Sequence, residues 1–276
     1  MKKRFLSLCK SDFASAVKLE SESFPLPSKR ESALVLAYTR FILAMDGRVN
    51  EEFFAVVFRA VEKIPFYITT GIQKSDYLVL SDFVKSLLSI SRAVHSKQQE
   101  AFSILDGVIR QLLEDQSKEA LLFTVLQALA LWEGEYPFPH ERLVPFSTSI
   151  LQFIIKLKDL LDHSRGSAYV EVAHRLAVLF TIEARLFSTL RFSTISMESI
   201  LPALTQLHDF AESITRKPAS PKLTVACVQL LETASFFFPE QRSASWKRIW
   251  ECMLLACREK APHPDVSVAC LKSLAL

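Results

Sequence analysis

Glycine is nearly missing from this chain. Five stand in 276 residues, at Gly47, Gly71, Gly107, Gly134 and Gly166, each alone. Sheet-rich and nucleotide-binding folds use glycine for tight turns and for close backbone approach to phosphate. A Gly-rich phosphate loop is therefore excluded. An excess of one charge is also missing: 33 basic against 30 acidic residues leave a net charge of +3. So balanced a chain does not imply nucleic acid through charge alone. Long hydrophobic runs are lacking too. The longest uncharged apolar stretch, Ala120 to Trp132, falls short of the ~20 residues a membrane span needs. The basic opening Lys2-Lys3-Arg4 is followed by an apolar stretch that Lys10 and Asp12 interrupt, too early for a signal peptide.

The residue types that carry chemistry are present but scattered. The six histidines (His95, His140, His163, His174, His208, His263) form no HxxxH or HExxH, so no metal-ligating set is assigned. His208 and Asp209, with Glu212 on the same stretch, come nearest to a cluster and read as a solvated helix face. The five cysteines (Cys9, Cys227, Cys252, Cys257, Cys270) contain no CxxC. Cys252 and Cys257, five apart, do not share a helix face. Cys227 and Cys270, on the apolar side of a phrase that occurs twice, read as small buried hydrophobes in a reducing compartment, and an intracellular protein of the cytoplasm or nucleus is expected. No GxSxG elbow exists, and most serines sit where helices begin, as caps. The carboxylate pairs Glu51-Glu52 and Asp159-Asp162 read as helix-terminal charges. Lys2-Lys3-Arg4, Lys29-Arg30, Arg216-Lys217 and Lys247-Arg248 read as ordinary surface charge, since acidic residues dilute each; a phosphate track is the alternative if stacked repeats line several along one edge, so nucleic acid is not excluded as a partner. No catalytic, cofactor-binding or metal residue is assigned, and no cofactor is expected.

Half of the chain is hydrophobic, with 21 phenylalanines, and its pattern is helical. Ser28-Lys29-Arg30-Glu31 and Ser96-Lys97-Gln98-Gln99 are capping boxes. Asp46-Gly47 and Pro65 are stops. Further helices are predicted from Asn50, from Ser75 or Asp76, and from Ser117 to Trp132. Others run from His140 to about Leu161, Ser167 to about Leu190 and Ser196 to Ile214. The last three start at Ser220-Pro221, at about Gln241 and at Pro264. Leu121 to Leu131 is apolar on most of its circumference, so it needs cover on two sides. Phe236-Phe237-Phe238-Pro239 reads as packing at a turn between hairpins, with Trp246 and Trp250 as partners. Period-2 strands are lacking; Tyr67-Ile68-Thr69-Thr70 is the one short stretch of β propensity.

The phrase starting Pro221-Lys222-Leu223-Thr224-Val225-Ala226-Cys227 returns 43 residues later as Pro264-Asp265-Val266-Ser267-Val268-Ala269-Cys270. Tyr169-Val170-Glu171-Val172-Ala173 is a weaker third copy. A period in the forties belongs to stacked helical hairpins. On these phrases, and on Leu201-Pro202 and Val144-Pro145 near helix starts, the chain resembles the HEAT and armadillo class of α-solenoids over residues 28–276. That resemblance implies an all-α fold: a right-handed α-solenoid of about six irregular hairpins, one domain over 1–276. Ala226 and Ala269 are expected to be buried at equivalent places, with Cys227 and Cys270 facing the core. The resemblance implies a non-catalytic scaffold or adaptor that binds partner proteins along an extended helical surface. It also permits a nuclear transport receptor, although karyopherins are longer and strongly acidic. A vesicle-coat large-subunit fragment and a regulatory subunit of a DNA-repair or other multiprotein complex are the remaining alternatives. The ending Ser273-Leu274-Ala275-Leu276 shows no capping signal and no charged last turn. A piece or short isoform of a longer solenoid is therefore expected, or a C-terminal face covered by further repeats or by a partner.

Overall fold

The computed structural model describes residues 98–114, 119–131, 140–191, 200–216, 220–240, 242–258 and 263–275, together with Val84 and Glu198. These residues form eight α-helices and no strand. The chain divides into two compact units, Met1–Trp132 and Glu133–Leu276.

In the first unit, α1 (Gln98–Glu114) packs on α2 (Glu119–Ala130). α1 buries Leu105, Val108, Ile109 and Leu112, a stripe at helical spacing. α2 buries seven of its twelve residues, as its nearly continuous apolar circumference requires. Leu131, just past its end, is exposed. The capping-box residues Ser96 and Lys97, and all elements expected before them except Val84, lie outside the described residues.

The second unit holds α3 (His140–His163), α4 (Gly166–Leu190), α5 (Leu201–Thr215), α6 (Pro221–Phe237), α7 (Arg242–Arg258) and α8 (Pro264–Leu274). Each start has a local cause. α3 and α4 are separated by two residues, Ser164 and Arg165, and Gly166 follows with φ +61°. That left-handed conformation is where glycine is needed. α5 begins at Leu201 rather than Ser196 because Pro202 takes the first turn, where a missing N–H costs nothing. Ser220 caps α6 and accepts from the Leu223 N–H at 3.3 Å, with Pro221 at the first helical position. Phe238 leaves helical geometry (φ −118°, ψ 75°) ahead of Pro239, which disfavours a helical residue before it. Pro145 is a different case. It lies inside α3, deeper than the first turn expected for it, and provides no N–H for the carbonyl one turn back.

The packing alternates along the chain. α6 packs most extensively on α4 and also touches α5, α7 and α8; α3 packs on α4 and α7 on α8. α5 makes lighter contact with α3 and α7. The helices thus pair as α3/α4, α5/α6 and α7/α8, and each pair lies against the next. From Leu176 to Phe187, only Thr181 and Arg185 of α4 escape burial. Phe180 and Phe187 are among the largest fully buried side chains. Burying one such side chain is worth about 1.5–3 kcal/mol.

The two copies of the repeated phrase fall on α6 and α8, one copy per helix. Ala226, Cys227 and Cys270 are buried as expected. Ala269 is only half-buried, because α6 is enclosed from both sides and α8 from one. Ala226→Asp is therefore expected to cost several kcal/mol by sinking an unpaired charge. Ala269→Asp should cost clearly less, and urea unfolding of both variants measures the difference.

Candidate functional site

Several polar links cross between helices in the second unit. In the first, Ser147 of α3 donates to Glu183 Oε2 of α4 at 2.8 Å. Both residues are buried, Glu183 at 0 % exposure, and Glu183 Oε1 has no hydrogen-bond partner. Desolvation pushes the Glu183 carboxyl well above its ordinary value, and the Ser147 hydroxyl offsets only part of this. A neutral carboxyl is the form such a site tolerates.

In the second link, His208 of α5 meets Ser245 of α7, with Nε2 and the hydroxyl 3.1 Å apart. His208 Nδ1 stands 3.5 Å from Asp209 Oδ1, and the ring meets Phe238 edge-on at 6.1 Å. The solvated face expected for His208 is not what forms: the imidazole is 6 % exposed. Its neighbour Asp209 does face solvent. A helix presents two sides at adjacent positions, so a charged neighbour says little about His208. Glu212 pairs instead with Arg216, whose hydrogen bond lowers the carboxyl below its usual range.

Serine, histidine and aspartate in that order have the make-up of a nucleophilic triad. Two features argue for a structural role. Ser245 is 2 % exposed, so a substrate carbonyl does not reach its oxygen. The 3.5 Å from Asp209 exceeds hydrogen-bond distance.

The third link joins Arg248 of α7 to α5: Nε donates to Thr215 Oγ1 at 3.1 Å and Nη1 to Glu251 at 2.7 Å. Arg216 and Arg248, each one half of an expected basic pair, are thus both engaged with carboxylates, while Lys247 is exposed. The pairs Lys2-Lys3-Arg4 and Lys29-Arg30 lie outside the described residues, as do Glu51-Glu52 and Cys9. In the fourth link, Ser273 of α8 donates to Glu232 of α6.

The phenylalanine run packs between hairpins. Phe237 meets Phe187 of α4 at 6.2 Å between ring centroids. Phe236 lies under the Arg191 guanidinium at 3.6 Å, and Arg242 reaches both Phe236 and Trp246, at 6.0 and 4.6 Å. Trp246 thus meets the run through an arginine, and Trp250 is 48 % exposed. Sequence reasoning missed these arginines, whose separation along the chain gives no local signal.

Cys227, Cys252 and Cys270 are buried and free, and Cys257 is exposed. Desolvation raises all three buried thiols, Cys270 to about 12. Among the described residues, no group of three or more His, Cys, Asp or Glu is placed to hold a metal ion. None of the described helices is long and apolar enough to cross a membrane. No protein-family model, curated protein or solved structure matches the chain.

Two outcomes follow from these environments. Glu183 binds its proton more tightly folded than unfolded, so its contribution is complete below about pH 4.5 and is lost as pH rises towards the folded value. Stability should therefore fall with pH above that point, and Glu183→Gln should flatten the slope in urea titrations at several pH values. Alkylation followed by mass mapping should label Cys257 well before Cys227, Cys252 and Cys270, because the thiolate is the reactive form.

Proposed function

We propose that this chain is a non-catalytic scaffold or adaptor that binds partner proteins through a stack of helical hairpins, with its α8 end covered in the working assembly. The hairpins would form a right-handed α-solenoid of the HEAT and armadillo kind. One observation carries the reading. α4, α6 and α8 follow one another as neighbours, and among the described residues the outer side of α8 is open. Val268 and Leu271 of α8 are 48 and 55 % exposed, whereas Val228, the counterpart of Leu271 in the repeated phrase, is fully buried. In a repeat array each unit completes its core with its neighbour, and an uncovered end needs a polar face or a partner.

The experiment uses the full chain as bait in cell extract, beside Val268→Glu/Leu271→Glu matched for helicity by circular dichroism. Proteins held by the parent chain and lost from the variant support the reading. GTPases and nucleoporins, coat subunits or chromatin proteins among them would identify the assembly. A parent chain that holds nothing above control sinks it. For the catalytic side, a fluorophosphonate probe is expected to leave Ser245 unlabelled. Labelling that His208→Ala abolishes would mark a working nucleophile and overturn the non-catalytic reading.

A further inference from the structure

The six residues of α8 and its cap that face solvent form one pattern. Pro264, Asp265, Val268, Leu271, Lys272 and Ala275 are exposed, and Val266, Cys270 and Ser273 are buried. Pro264, Val268, Leu271 and Ala275 follow at intervals of four, three and four. That spacing makes a seam along a helix, the kind through which two helices pair. Asp265 and Lys272 each follow a seam residue and lie seven apart, so both flank the seam on the same side. Neither makes an ion pair with another described residue.

We propose that α8 pairs antiparallel with α8 of a second copy of this chain through this seam, an inference that rests on the covered-end reading above. Charge complementarity selects that occupant. In an antiparallel pair, equivalent flanks meet across the interface. A two-fold axis near Val268 brings Asp265 of each copy to Lys272 of the other, twice per dimer. A parallel arrangement sets like charges at equal height. The face is thus complementary to itself, as an isologous contact demands. Asp265 in the first turn and Lys272 in the last also suit the helix dipole.

The neighbouring helix α7 also carries exposed apolar side chains, Trp250 and Leu255. Cys257 of α7 contacts Ser267 of α8, with sulfur and oxygen 3.8 Å apart. The seam exposes only two large apolar side chains, Val268 and Leu271, so a weak dimer is expected, with dissociation on the order of 10 µM.

Sedimentation velocity on the full chain, from about 1 to 100 µM, tests the pairing. The parent chain should pass from monomer to dimer across this range. Leu271→Glu should remain monomeric. Asp265→Lys and Lys272→Asp should each weaken association several-fold, and the double exchange should restore it. All these positions are exposed, and circular dichroism checks that each variant is folded. A chain that stays monomeric at 100 µM overturns self-pairing, as does a dimer indifferent to Leu271→Glu and to the charge exchanges. If the chain is monomeric yet the bait experiment loses partners on Val268→Glu/Leu271→Glu, self-pairing falls and the covered-end reading stands. If nothing is held in extract and no dimer forms, both fall.

Discussion

Two-sided burial of α6 is the constraint on which the second unit depends. α6 packs on α4, α5, α7 and α8 and so belongs to the cores of adjacent hairpins at once. Its composition reflects this. Ala226, Cys227, Ala234 and Ser235 are small and buried, among the larger Leu223, Val228, Leu230 and Leu231. Small side chains let neighbouring helices approach, because interaxial distance follows the residues at the contact. A residue enlarged at Ala226 would press on α6's neighbours without anywhere to yield.

Much of this was legible in the sequence, wherever the signal was local or periodic. Ser220-Pro221 announces a capped helix, and the structure starts α6 there. Phe238-Pro239 announces its end. The echo between Pro221 and Pro264 puts Cys227 and Cys270 in equivalent buried places. Other features depend on partners that periodicity does not name. Ala226 and Ala269 look alike in sequence, but only the first has a helix on each side. Lys272, read from the sequence as absent from the last turn, lies within it, since α8 stops at Leu274. Pro145 resembles a first-turn proline, yet α3 already begins at His140.

The polar links were the least legible. Glu183 stands in an apolar run, and nothing near it in sequence points to Ser147, on another helix. His208 next to Asp209 reads as polar surface, yet adjacent helical positions look in different directions. Buried pairs such as these contribute little net stability. Their effect is selective: a slipped helix would leave Glu183 or Ser245 without its partner in an apolar interior, and that is costly. Among the cores that hydrophobic residues alone would permit, the links favour one register.

The stack of Arg191, Phe236, Arg242 and Trp246 joins residues from the end of α4, the end of α6 and the start of α7. Three successive hairpins meet at this single edge. In an array held only by nearest-neighbour contacts, the last hairpin can fray while the first stays folded. A clasp spanning all three gives the edge a shared fate: if α7 peels away, Phe236 loses the Arg242 guanidinium, and α6 loosens against α4. The unit should then melt as one body, so that a mechanical load on its last hairpin is felt at the first.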